Sequence, residues 1–342
     1  MHDGQLTITT STVRELIEGQ FPQWRGSPVR RVGTNGTVNA VFRIGEDLAA
    51  RFRLLPDDVA KVRSHLQTEA EAATELAAHT RFPTPTPVAL GEPGAGYPLP
   101  WSVQTWLPGV SADEDDPSAS TAFAEDLAEF ITEVRAIDTR GRTFVGHGRG
   151  GDLRTHDAWL ATCFARSEGL LNVPLLRRMW ADMRELPPHP ADTMTHGDLI
   201  PGNVLVADGR LAGILDTGTF GAADPSLDLV AAWHLLEAGP RLTLRARLAP
   251  TDLAWQRGKA WAFAQAMGLV WYYRDTNPTM ARTGRRTLER IVADTDPTMA
   301  RTDRRAPERI AADTDPTMAR TGRRAPERIV VDEADGGGRL TS

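Results

Sequence analysis

The stretch from Met194 to Thr219 constrains this chain more than any other. It reads loop, strand (Val204 to Ala207), turn at Asp208-Gly209, strand (Leu211 to Leu215), loop, which is the pattern of a β-hairpin. Oxygen-bearing side chains stand at both open ends. Asp198 precedes the hairpin, Asn203 opens its first strand, and Asp216 closes its second. Folding the hairpin brings the three near one point, and hard oxygen donors at that density suit Mg²⁺. Phosphoryl transfer needs such a set. One carboxylate orients or deprotonates an attacking hydroxyl, while an amide and a second carboxylate hold the cation that neutralises the phosphates. The competing reading is a group of turn-forming Asp and Asn residues, which is all that Asp208-Gly209 is taken to be.

On either side of the hairpin the chain changes character. Up to about residue 106 it reads as strand-rich, with strands at Val38 to Ile44, Leu48 to Leu54, Val88 to Leu90 and Trp101 to Trp106. Leu66, Ala70, Ala73, Leu76 and Ala77 recur at helical spacing and predict a helix over Ser64 to His79, ended by Pro83, Pro85 and Pro87. Leu107-Pro108-Gly109 marks a boundary. Beyond it the candidates are helices, at Ala119 to Ile137, His156 to Ser167, Val173 to Leu186, Ser226 to Glu237 and Thr251 to Tyr273. A strand-rich part followed by a helix-rich part makes an α+β chain. The expected division is 1–106, 107–276 and a C-terminal segment, 277–342.

That last segment repeats itself. Asn277 to Thr283 recurs as Asp296 to Thr302 and as Asp315 to Thr321, and Pro278, Pro297 and Pro316 set a period of 19 residues. The copies bury too little for a solenoid, and the later two carry Pro307 and Pro326 where the first has Leu288. Proline inside a helix costs about 3 kcal/mol. The first copy is expected to complete the folded part with a helix around Arg285 to Ile291, and the others to form a mobile, solvated tail.

The sequence His196-Gly197-Asp198 with Asn203 at the kinase spacing resembles the catalytic loop of the aminoglycoside phosphotransferase family, relatives of the protein kinases. Asp216-Thr217-Gly218 stands where that family usually has Asp-Trp-Gly or Asp-Phe-Gly, so Thr217 is a departure. Asp224-Pro225 and Asp228-Leu229 resemble its following signature, with Asp228 holding the catalytic loop. The resemblance covers about residues 28 to 276. It implies a two-lobed, protein-kinase-like fold, with a small antiparallel-sheet N-lobe and a larger, mainly helical C-lobe. It also implies a cleft for ATP, with GTP as the alternative nucleotide, and for Mg²⁺. Asp198 becomes the catalytic base, His196 the residue that holds the loop, and Asn203 and Asp216 the metal ligands.

Upstream, Gly33, Thr34, Asn35, Gly36 and Thr37 correspond to the loop over the phosphates, where free N–H groups bond phosphate oxygens; an ordinary hairpin turn is the alternative. The next strand has no lysine. Arg51 takes that place with Glu69 as its partner on the following helix, and Arg53 with Glu71 is the other register. The backbone around Gln104 to Trp106 corresponds to the hinge that meets the adenine edge.

The resemblance therefore implies a cytoplasmic enzyme moving the γ-phosphoryl group to a hydroxyl of a small molecule, such as an aminoglycoside or macrolide antibiotic. A metabolic kinase acting on a sugar, amino alcohol or homoserine-like hydroxyl is the alternative, and a catalytically degenerate nucleotide-binding protein is a third reading. Only seven residues separate Asp216 from Asp224, too few for a peptide-binding activation segment. A net charge of −6, from 39 basic and 45 acidic residues, disfavours nucleic acid and anionic membrane as partners. The single cysteine, Cys163, forbids an intrachain disulfide. The N-terminus shows no basic or apolar region of a signal peptide, and the uncharged run Ala260 to Tyr273, too short to span a bilayer and interrupted by Gln265, reads as a core helix. The expected form is a monomer or homodimer. The acidic run Asp113 to Asp116 reads as a solvated loop, with attraction of a polycation as the alternative, and Asp152, His156 and Asp157 are candidate substrate contacts.

Overall fold

The computed structural model describes residues 5–33, 39–146 and 148–295. Thr34 to Thr37 and the second and third repeat copies lie outside them.

The N-terminal region is built on a sheet. Thr9 caps the first helix, α1 (Thr10–Gln20), by accepting the Thr12 N–H. Strands β1 (Val29–Val32), β2 (Asn39–Ile44) and β3 (Leu48–Arg53) follow, then helix α2 (Val59–Ala77), then β4 (Pro87–Gly91) and β5 (Trp101–Thr105). The strands run in the order β1-β2-β3-β5-β4, each antiparallel to its neighbour. Along β2 every second residue is buried, so Ala40, Phe42 and Ile44 share the inner face. Phe52 stacks on Trp101 at 4.8 Å and meets Tyr97 edge-on at 5.2 Å. Val13, Leu16 and Ile17 of α1 pack into the same core. Helix α2 starts five residues before the expected Ser64, because Asp58 accepts the Lys61 N–H and caps it there.

The remainder is mostly helical. It comprises β6 (Val110–Ser111), α3 (Thr121–Arg135), α4 (Asp157–Arg166), α5 (Val173–Met183), β7 (Thr193–Thr195), β8 (Val204–Ala207), β9 (Arg210–Ile214) and β10 (Gly221–Ala223). Helices α6 (Ala231–His234), α7 (Ala238–Leu248), α8 (Asp252–Tyr272) and α9 (Pro278–Thr295) complete it. Small sheets β6-β8-β9 and β7-β10 frame the stretch from Met194 to Thr219. The centre is α8, where Ala260, Trp261, Ala262, Phe263, Ala266 and Met267 are all fully buried or nearly so. A helix apolar on every side belongs inside a core. Cys163 is buried beside it, and burial pushes its thiol up to about 12.

Helix α9 lies along α8 at Gly284. A Cβ there would sit 2.8 Å from both the Ala266 carbonyl oxygen and Leu269 Cβ, so only glycine allows this approach. The expected single helix Ser226 to Glu237 is instead a 3₁₀ turn, Leu227–Val230, followed by the short α6. The Glu237 N–H leaves the helical pattern to bond the Ser118 carbonyl. Helix α7 has no counterpart in the sequence analysis; its Pro240 falls in the first turn, where a missing N–H costs little. Among the described residues, no helix is long and apolar enough to cross a membrane.

Candidate active site

Strands β8 and β9 form the expected hairpin, with Val204 opposite Ile214 at its open end. The Leu215 N–H extends the ladder by one bond to the Asn203 carbonyl, 2.8 Å. Asn203 and the residue pair Leu215-Asp216 are therefore held side by side. Asp216 adopts φ +60°, a left-handed conformation that Asp tolerates better than most residues, and its Oδ1 accepts the Gly218 N–H at 3.2 Å.

The loop before the hairpin is fixed by its own residues. His196 is fully buried. Its Nε2 donates to the Leu215 carbonyl at 3.1 Å, and its Nδ1 faces the Asp198 N–H at 3.4 Å. The imidazole thus ties the Asp198 loop to the strand end that carries Asp216. Gly197 stands at φ +83°, and a Cβ there would lie 3.0 Å from the Thr219 carbonyl oxygen. The fully buried Asp228 accepts the N–H groups of His196 (3.0 Å) and Gly197 (2.9 Å). Burial raises the Asp228 carboxyl above the usual range, against the opposing pull of His196 and those two N–H groups.

Asp198 itself is surrounded by donors. Its Oδ2 accepts Asn203 Nδ2 at 2.8 Å, and its Oδ1 accepts Gln265 Nε2 at 2.7 Å and the Arg149 guanidinium at 3.0 Å. Asn203 Nδ2 also bonds the Asp198 carbonyl, which turns the Asn203 amide oxygen away from the loop.

From the sheet, Arg51 on β3 forms an ion pair with Glu69 on α2 and approaches Asp216 at 3.9 Å. Burial alone would lower the Arg51 guanidinium, but Glu69 and Asp216 outweigh it and raise it. In the other register, Arg53 lines the same cleft and meets Asp57 at 3.4 Å, while Glu71 is exposed and so is not its partner across the sheet and helix. Arg51, Glu69, Asp198 and Asp216 line one open cleft, together with Asn39, Arg53, His65 and Thr219. Gln104 and Trp106 are not among its lining residues. Gln104 lies inside the sheet between β3 and β4, and the Trp106 N–H is engaged by the Asp47 carbonyl at 2.7 Å. Gly33 directly follows β1, at the edge of the described part of its loop.

Residues beyond the hairpin have structural partners. Asp157 accepts from Trp180 and Arg184, Asp152 caps the turn before α4, and the buried His156 packs edge-on against Trp261. Asp116 of the acidic run pairs with Arg286 of α9 at 2.7 Å. Sequence reading missed Arg149 and Gln265 at the Asp198 carboxylate. The only signal was Gln265 itself, a lone amide in an otherwise uncharged run.

Comparison with known proteins gives a consistent picture. The model of the "Phosphotransferase enzyme family" matches residues 29–264. An aminoglycoside 3'-phosphotransferase of Escherichia coli is 39% identical over 147 residues, which is 40% of this chain and 53% of that protein. The chain spans about half the length of the curated relatives it matches. The GDP complex of aminoglycoside 2'-phosphotransferase-IIIa superposes with a TM-score of 0.60 at 20% identity, covering 84% of this chain and 100% of the other. The macrolide 2'-phosphotransferase apoenzyme from Brachybacterium faecium gives 0.54 at 20% identity, covering 82% and 97%. These likenesses establish a two-lobed fold, with an antiparallel sheet in the first lobe and helices in the second.

Proposed function

The chain belongs to the phosphotransferase enzyme family, and from that premise we propose that it moves the γ-phosphoryl group of ATP to a hydroxyl of a small molecule. The observation that carries the proposal is the convergence of Arg51, Glu69, Asp198 and Asp216 on one cleft, with Asn203 bonded to Asp198. The acceptor class favoured by the relatives is an antibiotic such as an aminoglycoside or macrolide.

Asp198 orients the attacking hydroxyl and receives its proton. Its Oδ2 carries one donor where Oδ1 carries two, so Oδ2 keeps the lone pair for that proton. Arg51, held by Glu69, grips phosphate oxygens as the usual lysine would, with the added reach of a bidentate guanidinium. His196 keeps Asp198 and Asp216 at a fixed spacing.

Asn203 and Asp216 suit Mg²⁺. The Asn203 amide oxygen is turned away from the loop, Asp216 is 48% exposed at the cleft, and both offer hard oxygen. Bound there, Mg²⁺ would neutralise charge on the phosphates. No cluster of three His, Cys, Asp or Glu side chains among the described residues competes as a metal site.

The test is incubation with ATP, Mg²⁺ and a panel of aminoglycosides, macrolides and small metabolic alcohols, with products read by mass. One acceptor class should gain a phosphoryl group. Asp198→Asn is expected to lower turnover by about 10²–10⁴-fold while nucleotide binding persists. Full activity in that variant would remove Asp198 from the mechanism.

A further inference from the structure

The catalytic carboxylate is one end of a buried polar chain. Gln265, on α8, donates from Nε2 to Asp198 Oδ1 at 2.7 Å and turns its Oε1 toward His234 Nε2 at 3.1 Å. His234 Nδ1 in turn lies 2.9 Å from the Thr287 hydroxyl on α9. Thr287 is fully buried, and His234 is 3% exposed.

The direction of every proton in this chain follows from its first member. An ionised carboxylate only accepts, so the Gln265 NH₂ must face Asp198 and its carbonyl must face His234. A carbonyl also only accepts, so His234 must carry its proton on Nε2. Nδ1 is then an acceptor, and the Thr287 hydroxyl is the donor within reach. That hydroxyl also lies 2.9 Å from the Thr283 carbonyl, whose second lone pair can take the same proton; donation to Nδ1 is the arrangement that leaves no buried acceptor of His234 unpaired. Burial keeps His234 neutral, holding it near 3, and Arg149 adds to that. The neutral state is the one in which Nδ1 can accept.

We infer that Thr287, His234 and Gln265 form a one-way hydrogen-bond chain that fixes the Asp198 carboxylate, so that Gln265 is a positioning residue and α9 is part of the catalytic architecture. The inference rests on Asp198 being the group that receives the acceptor hydroxyl. Its consequence is a division of labour at one carboxylate: Oδ1 is held from α8, and Oδ2 is left to the acceptor.

The chain also belongs to the first repeat copy alone. Thr287 aligns with Ala306 and Ala325 in the later copies, and Leu288 with Pro307 and Pro326. Neither later copy could complete the chain in this seat.

Two readouts test it on the full-length protein. With ¹⁵N-labelled histidine, and the His234 signal assigned by its loss in His234→Gln, the wild-type ring should be the neutral Nε2–H tautomer. In Gln265→Leu, His234 loses its acceptor and should switch to Nδ1–H, donating to Thr287. A wild-type ring protonated on Nδ1, or a tautomer unmoved by Gln265→Leu, overturns the chain. The second readout is turnover of Mg·ATP, with water or with an acceptor found in the panel. Thr287→Val and Gln265→Leu should lower kcat by at least about tenfold with the nucleotide KM within about twofold, and Thr287→Ser should restore it. A lower Tm with unchanged kcat per folded molecule would reduce these residues to packing and overturn the positioning role. A wild-type chain inert toward ATP and every acceptor defeats the proposed function instead, while the tautomer is read independently of it.

Discussion

Arg51 sits 14% exposed between Glu69 and Asp216, so its charge is tolerable only because both carboxylates face it. Removing one should be felt first by the nucleotide. Glu69→Gln is expected to weaken ATP binding by about tenfold, near 1.4 kcal/mol, in a calorimetric titration. An unchanged affinity would mean that Asp216 alone orients the guanidinium. His234 makes a second, independent prediction about stability. The folded ring stays neutral down to about 3, whereas an unfolded histidine takes a proton near its ordinary 6.5. Between those values the unfolded chain binds the additional proton, so stability falls as pH drops below about 6.5 and the loss is complete near pH 3. The slope approaches about 1.4 kcal/mol per pH unit for one such ring. Burial lowers His156 as well, in the same direction. Urea unfolding between pH 7 and 5 should therefore show a declining midpoint, and His234→Gln should flatten it. Which residues were legible in the sequence follows from the same local logic. Asp198, Asn203 and Asp216 are tied by one hairpin and could be read from spacing. Arg149 and Gln265 reach Asp198 from 49 and 67 residues away, and no local pattern joins them.

Elements were legible where periodicity and breakers agreed, as in α3 and α5, and α8 from its long uncharged run. Those missed had other causes. Strands β6, β7 and β10 are two or three residues long and exist only because a partner strand is brought beside them. The expected helix Ser226 to Glu237 is shortened at both ends by tertiary contacts, with Asp228 bonded to the His196 and Gly197 N–H groups and the Glu237 N–H to the Ser118 carbonyl. Helix α9 offers the clearest test at this scale. It needs Gly284 for close approach to α8 and Leu288 for the core. Writing the second copy's residues into the first, as Gly284→Asp with Leu288→Pro, should cost at least about 3 kcal/mol from the proline alone. A thermal melt should then fall by roughly 5–10 °C. A Tm within 1 or 2 degrees (about 0.5 kcal/mol) of wild type would show that α9 docks without these two residues.

At the scale of the whole molecule, the described residues form two buried clusters. One lies between α1 and the N-terminal sheet; the other runs from Leu76 and Phe82 through α8 to Ile291. Leu76 and Phe82 belong to the larger cluster although they precede residue 106, so the end of α2 and the loop after it anchor the sheet lobe to the helical one. The Ile214 N–H bonds the Pro83 carbonyl at 3.0 Å and reinforces that anchor beside the hairpin. Because the larger cluster includes Leu288 and Ile291, a chain ending at residue 277 is expected to lose cooperative unfolding. One ending at residue 295 is expected to keep the wild-type Tm and turnover. A large loss in the second truncation would show that copies two and three contribute to the fold.

Helix α9 also sets an order in time. Arg51, Glu69, Asp198, Asn203 and Asp216 all leave the ribosome before Gln265, and Thr287 leaves last. A nascent chain, which folds from its N-terminal end, can bring Arg51, Glu69 and Asp216 together while Asp198 still lacks the Gln265–His234–Thr287 brace proposed above. Translation that stops before α9 therefore yields a chain that holds Arg51, Asp198, Asn203, Asp216 and Gln265 but lacks the Thr287 end of the proposed hydrogen-bond chain.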